Sequence, residues 1–107
     1  MSYNVRFTET AINDLREIAF HIADRSGEAS VAKRFLAELR KSCRRFTELP
    51  EQGALPKDHI LRSMEYRYLT HKGYLIFCLT DEQSRVVNIM AVFHEKQNYI
   101  RVMRKNI

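Results

Sequence analysis

A chain of 107 residues has room for one domain with one modest core, and its 45% hydrophobic and 29% charged residues are those of an ordinary globular protein. Eighteen Lys and Arg against thirteen Asp and Glu leave a net charge of +5, which points toward acidic partners: nucleic acid, an acidic protein or an anionic surface. With no long apolar run, no internal repeat and no leader pattern at its start, the sequence excludes a membrane-spanning helix, a collagen and a coiled coil, and the cytoplasm is the expected location.

Tyr3-Asn4-Val5-Arg6-Phe7 alternates apolar and polar residues, the signature of a short strand with one buried face. Ala11, Leu15, Ile18, Ala19 and Ile22 fall at helical spacing, predicting an amphipathic helix over residues 9–25 that Thr8 or Thr10 can cap. Gly27 suits the positive-φ position after a helix. A second helix is predicted over residues 28–48. Its apolar stripe is Ala32, Phe35, Leu36, Leu39, Cys43 and Phe46, and Leu49-Pro50 ends it. So short a link between the two makes an antiparallel helical hairpin.

After a loop at Glu51 to Pro56 the pattern turns to strands. Residues 60–69 are rich in apolar and tyrosyl side chains, His71-Lys72-Gly73 marks a turn, and Tyr74 to Leu79 is a nearly continuous apolar run suited to a strand buried on both faces. Asp81 to Ser84 is a second turn and Val86 to Phe93 the last strand. His94 to Ile107 is polar and basic, a short helix or an extended arm. The fold class is therefore α+β over residues 1–107, in the order β-α-α-β-β-β: an antiparallel meander with the first strand at its edge, packed on the two-helix hairpin. Cys43 and Cys78 lie in apolar surroundings and read as buried free thiols. The histidines at 21, 59, 71 and 94 share no metal-ligand spacing, so neither metal nor cofactor is expected.

The order and content of these segments resemble the RelE/ParE superfamily of type II toxins. The resemblance is carried by Val5 to Ala11 with Asp14 to Ile18, by Leu49-Pro50, Gly53 and Leu61-Arg62, and most of all by Tyr74 to Leu79, Val86 to Val92 and His94-Glu95-Lys96. The last block resembles the ParE branch most closely. The resemblance implies a cytoplasmic toxin with roles in plasmid maintenance and growth inhibition, neutralised by a cognate antitoxin with which it forms a hetero-oligomer. RelE-like members are implied to be ribosome-dependent mRNA endoribonucleases; ParE-like members stabilise the cleaved complex of DNA gyrase with DNA.

Cleavage by the RNA 2′-hydroxyl needs a base, a cation for the phosphorane and an acid. Arg62, His94 and Tyr99 are the residues available for such roles, among sheet cations that also include Arg67, Lys72 and Arg85, with His71 as a further titratable group. Where a nuclease of this kind has an arginine after the last strand, this chain has Glu95, which would repel the phosphate. The branch expected is therefore the gyrase poison, which is not itself an enzyme. Its expected target contacts are Arg62, Arg67, His94, Lys96, Tyr99, Arg101 and Arg104, most of them on the C-terminal arm, which Ile100, Val102 and Met103 anchor to the sheet or to the target. Antitoxins of this kind wrap the helical hairpin, and Ile12 and Phe20, lying off the buried stripe of the first helix, are the expected contacts. The second helix carries Lys33, Arg34, Arg40, Lys41, Arg44 and Arg45 against Glu38 alone, either a solvated face or a surface for nucleic acid or an acidic protein. No aromatic interleaves on that face, so base stacking is not indicated.

Overall fold

The computed structural model describes residues 2–105, so residues 106 and 107 of the expected C-terminal arm, like residue 1, lie outside the described residues. Strand β1 (Asn4–Phe7) turns Val5 and Phe7 inward and leaves Asn4 and Arg6 exposed. It leads through Thr8 into helix α1 (Glu9–Ser26). Thr8 has two tasks: its Oγ1 accepts from the Ala11 N–H at 3.2 Å, capping the helix, and donates to the Ile89 carbonyl at 2.9 Å, tying that cap to the sheet. Ala11, Leu15 and Ile18 form the buried stripe. Gly27, at φ 74°, closes the helix by donating its N–H to the Ala23 carbonyl at 2.9 Å. Helix α2 (Ala29–Cys43) returns alongside α1, burying Ala32, Leu39 and Cys43, and a 3₁₀ turn at Arg44–Thr47 carries Phe46 to full burial.

The expected strand over residues 60–69 is corrected by the structure. Asp58 accepts from the Leu61 N–H at 3.1 Å and starts a short helix, α3 (His59–Ser63). Glu65, at φ 69°, breaks the chain's direction after it. Strand β2 (Arg67–His71) begins only then, so Arg62 lies on a helix and not at the start of a strand. The hairpin to β3 (Tyr74–Asp81) turns on Lys72 and Gly73, both at positive φ (46° and 86°), as in the tight turns that match strand twist. Strand β4 (Val86–His94) comes after a loop in which Asp81 accepts from the Gln83 N–H at 3.0 Å.

The sheet order is β1-β4-β3-β2. The meander is antiparallel and β1 sits at its edge as expected, but β1 pairs parallel to β4, from Asn4 with Val86 to Phe7 with Ile89. A β-bulge opposite Phe77 and Cys78 puts Met90 and Ala91 on the same face of β4, and burial on both faces makes Ile89 to Phe93 an apolar run. Beyond Pro50 the chain runs against the far edge of β2. Ala54 and Tyr68 exchange backbone hydrogen bonds there (2.8 and 3.0 Å), so close that a Cβ on Gly53 would lie 3.0 Å from that of Arg67.

Both faces of the sheet are covered. The helical hairpin lies over one, on a core that includes Leu15, Leu39, Phe46, Ile76, Val87, Ile89 and Val92. The opposite face is closed by α3, which was not expected, and by the C-terminal helix α4 (Tyr99–Arg104), over Leu61, Tyr66, Phe77, Ala91, Phe93 and Met103. Phe77 is the centre of this second core, with Tyr68, Phe93 and Tyr99 stacked around it at ring-centroid distances of 5.3, 5.6 and 5.8 Å. Asn98 caps α4 by accepting from the Ile100 and Arg101 N–H groups. The expected arm is thus, through Arg104, a helix sewn onto its own sheet. Cys43 and Cys78 are both buried free thiols, Cys78 Sγ donating to the Arg67 carbonyl at 3.5 Å, and burial pushes each thiol up to about 12.

Candidate interaction surfaces

The residues expected to meet a target fall into two groups, those already engaged within the fold and those left free. Asp58 is the hub of the first group. Its backbone N–H donates to Tyr99 Oη at 3.1 Å, its Oδ2 caps α3, and its Oδ1 pairs with Arg104 Nη2 at 2.9 Å. The backbone N–H of Leu61 and the Arg104 guanidinium together draw the Asp58 carboxyl below its ordinary value against the opposing effect of desolvation, which is the largest single influence on it. Arg62 donates through Nε to the Pro56 carbonyl at 3.1 Å. Arg67 donates through Nη1 to the carbonyls of Glu51 (3.1 Å) and Gly53 (2.9 Å), pinning the 51–54 loop. Both arginines line a small cleft of about 250 Å³ in which the charged neighbours are Glu51, Glu65 and Glu82. Two cations among three carboxylates make that cleft a poor seat for a phosphate.

His94 stands elsewhere. Its Nδ1 accepts from the Lys96 N–H at 3.1 Å and its ring meets Tyr74 edge-on at 5.2 Å. It lines a cleft of about 590 Å³ with Asp14, Glu17, His21 and Arg25 of α1 and with Gln97. Asp14 there accepts from the Val92 N–H at 2.9 Å, satisfying β4 where it runs past the end of β1. Burial holds the Asp14 carboxyl above the ordinary aspartate value. Arg62 and His94 therefore line different clefts, and Tyr99 points into the second core, so the three residues suited to RNA cleavage are not brought together. His71 is also spoken for: Nδ1 meets Ser42 Oγ at 3.1 Å, Nε2 is buried, and burial lowers its pKa. Lys96 and Arg101 remain exposed, with no side-chain hydrogen bond among the described residues.

On the hairpin, Phe20 is 70% exposed and Ile12 38%. They lie about 80° apart around α1, so one partner segment can touch both. A second set of exposed apolar residues, Leu49, Leu55, Ile60 and Met64, is not evident from the sequence pattern. Ile60 and Met64 are one helical turn apart and face solvent because α3 buries Leu61. Asp58, three residues ahead of Leu61, was the available signal for that helix. All six cations of the second helix and its 3₁₀ turn are exposed.

Among the described residues no cluster of three or more His, Cys, Asp or Glu side chains is placed to hold a metal, and no helix is long and apolar enough to cross a membrane.

This architecture is shared with solved toxin structures. A chain of the chromosomal ParDE TA system from P. aeruginosa superposes with a TM-score of 0.70 at 16% identity, covering 86% of this chain and 95% of that one. The toxin–antitoxin complex RelBE2 from Mycobacterium tuberculosis gives 0.61 at 19% identity, over 88% and 99% of the two chains. A mutant of the E. coli toxin RelE in the free state gives 0.61 at 18% identity over 100% of both. At such identities the likeness shows the fold alone. No curated protein sequence matches the chain. The family model for the ParE toxin of the type II toxin–antitoxin system parDE matches residues 5–99, nearly the whole sequence, and the chain belongs to that family.

Proposed function

We propose that this toxin acts by poisoning DNA gyrase, and that a cognate antitoxin holds it inactive by covering the α1–α2 hairpin. The observation that carries the first part is the engagement of the nuclease-type residues. Tyr99 and Arg104 are used to hold α4, and Arg62 and Arg67 to hold the 51–56 loop amid three glutamates. RNA cleavage would need these groups free, convergent and electropositive. A gyrase poison needs none of that. It needs to bind the cleaved state of the enzyme better than the resealed one. Moving that equilibrium from 1:99 to 99:1 takes a preference of about 10⁴-fold, within reach of a protein surface.

The free cations Lys96 and Arg101, beside and on α4, are the proposed gyrase contacts, with His94 at the adjoining strand end. The remaining expected contacts, Arg62, Arg67, Tyr99 and Arg104, act by fixing the surface that carries them. An antitoxin partner is in keeping with the family and with the structural likeness to the RelBE2 complex, and the exposed pair Ile12 and Phe20 is its proposed anchor.

The test is a plasmid assay with purified chain, gyrase, ATP and supercoiled DNA, quenched with denaturant and protease. Linear DNA that appears only with both proteins supports the proposal. Unchanged topology, together with mRNA cut on the ribosome, would overturn it.

A further inference from the structure

The strongest unassigned charge on the molecule is the outward face of α2 and the 3₁₀ turn after it. Lys33, Arg34, Arg40, Lys41, Arg44 and Arg45 are all exposed, and among the described residues none takes part in an ion pair. The one acid of the helix, Glu38, is drawn aside by Lys72 of the β2–β3 turn, with Nζ 2.8 Å from Oε1. On a helical projection the six cations occupy about 140° of arc, opposite the buried side, with only Ala37 at their centre. From Lys33 to Arg45 the rise is about 18 Å, or roughly one positive charge per 3 Å, against one phosphate per ~3.4 Å along each strand of a duplex.

Helix stability does not account for the pattern. Arg40 and Lys41 in the last turn complement the helix dipole, but Lys33 and Arg34 do not lie there. Arg40 with Arg44 and Lys41 with Arg45 are like charges one turn apart, which repel. Apart from Leu49, which borders a cleft with Lys41, Arg44 and Arg45 at the end of the face, no apolar anchor of the kind on which protein partners close lies among the cations, and no aromatic platform on which single strands stack. Charge density and arginine content are what remain, and they match a sugar–phosphate backbone.

We infer that this face of α2 is a docking surface for the phosphate backbone of duplex nucleic acid, independent of base sequence. The inference does not rest on the gyrase reading, since its readout is duplex binding by the chain alone.

The experiment is fluorescence anisotropy of the full chain with a labelled 20-bp DNA duplex, in two unrelated sequences, across a salt series. With about four phosphates engaged, the slope of log K against log salt should be near −3.6, so affinity falls about 150-fold between 50 and 200 mM salt. Both sequences should bind alike. Replacing Arg34, Arg40, Lys41 and Arg44 together by Gln should cut affinity at least tenfold and bring the slope close to zero, with an unchanged far-ultraviolet circular dichroism spectrum. A control with Arg6, Arg16, Lys57 and Arg85 replaced by Gln carries the same charge change off α2 and should keep most of the slope. Equal losses in the two variants would mean that net charge alone binds DNA, and would overturn the proposal. So would tighter binding of a single strand of equal length, or of a glutamate-rich peptide, through the same four residues.

Discussion

Tyr99 is where the two chemistries make opposite predictions. Its hydroxyl accepts one hydrogen bond, from the Asp58 N–H, and its ring stacks on Phe77 at 5.8 Å with 20° between the planes. Tyr99→Phe keeps the ring and removes the bond, which should cost about 0.5–1.5 kcal/mol. For a chain of this size 1 kcal/mol lowers the melting temperature by about 4 °C. Tyr99→Ala also removes the ring from a half-buried site. With 3–5 kcal/mol typical for a fully buried aromatic, a loss of about 2–3 kcal/mol is expected. Both variants should still fold at 25 °C, given a domain stability of about 5–15 kcal/mol. Melting curves and urea titrations read the stability; growth arrest and plasmid cleavage read the activity. If Tyr99 anchors α4, the Phe variant melts lower and still kills. If its hydroxyl served as a catalytic acid or base, the Phe variant would melt like the parent and lose about 10²–10⁴-fold in rate. That second pattern would refute the assignment of Tyr99 to the fold.

Four further outcomes are expected. Phe20→Asp, at a position 70% exposed, should leave the melting temperature nearly unchanged and weaken antitoxin binding measured by calorimetry. The Asp14 carboxyl is held above its ordinary value by burial, so its favourable contribution is present below the unfolded-state aspartate value and is lost as pH rises through the folded one. Asp14→Asn keeps an acceptor for the Val92 N–H without the buried charge; in melting curves it should gain on the parent at pH 7 and lose that gain in acid. With both cysteines buried and their thiols pushed up to about 12, a thiol reagent at pH 8 should leave the native chain unmodified and label both after unfolding in urea. Gly73→Ala should cost about 1 kcal/mol in urea titration, because Gly73 sits at φ 86° while the added Cβ makes only ordinary contacts, with His94 Nε2 at 3.6 Å and Glu95 Oε1 at 3.9 Å.

The helical hairpin and the two central strands were legible because their signals are local and repeated. Thr8 and Gly27 bracket α1, the apolar stripes keep helical period over several turns, and β3 is apolar for six residues in a row. Of the two short helices, α3 was read as part of a strand, and α4 only as one of two alternatives for the C-terminal stretch. Over five or six residues a helical period hardly differs from a strand's, and Ile60, Leu61, Met64 and Tyr66 satisfy either pattern. The misplacement mattered for function. An arginine beginning a strand looks available to a phosphate, whereas Arg62 on α3 reaches back to the Pro56 carbonyl. Which guanidinium is engaged depends on carbonyls and carboxylates distant in sequence, at Glu51, Gly53, Pro56 and Asp58. The inventory of cations was therefore readable, but its division into bound and free was not.

That division carries a consequence for how the molecule meets anions. Around the cleft beside α3, Arg62, Arg67 and Arg104 are matched by Glu51, Asp58, Glu65 and Glu82, and a phosphate approaching there finds little net attraction. On α2 the single acid is diverted to Lys72, and six cations face solvent unmatched. The six cations of α2 and its 3₁₀ turn against Glu38 make that one face strongly positive, while acids elsewhere on the hairpin (Glu9, Asp14, Glu17, Asp24, Glu28 and Glu48) offset most of that charge over the hairpin as a whole. A catalyst of phosphodiester cleavage needs its positive charge at the reacting atoms, where it stabilises the charge that develops. Here the charge is spread along an exposed helical face; Lys41, Arg44 and Arg45 also border a cleft with Glu38, Glu48 and His71, where His71 is held by Ser42, and the spread of charge suits holding a polyanion better than cutting one. Binding at such a surface weakens steeply with salt, whereas the packed aromatic face around Phe77 is insensitive to it. Because Lys96 and Arg101 are exposed cations as well, a salt series isolates the α2 face only when the α2 variant is compared with the parent in direct duplex binding.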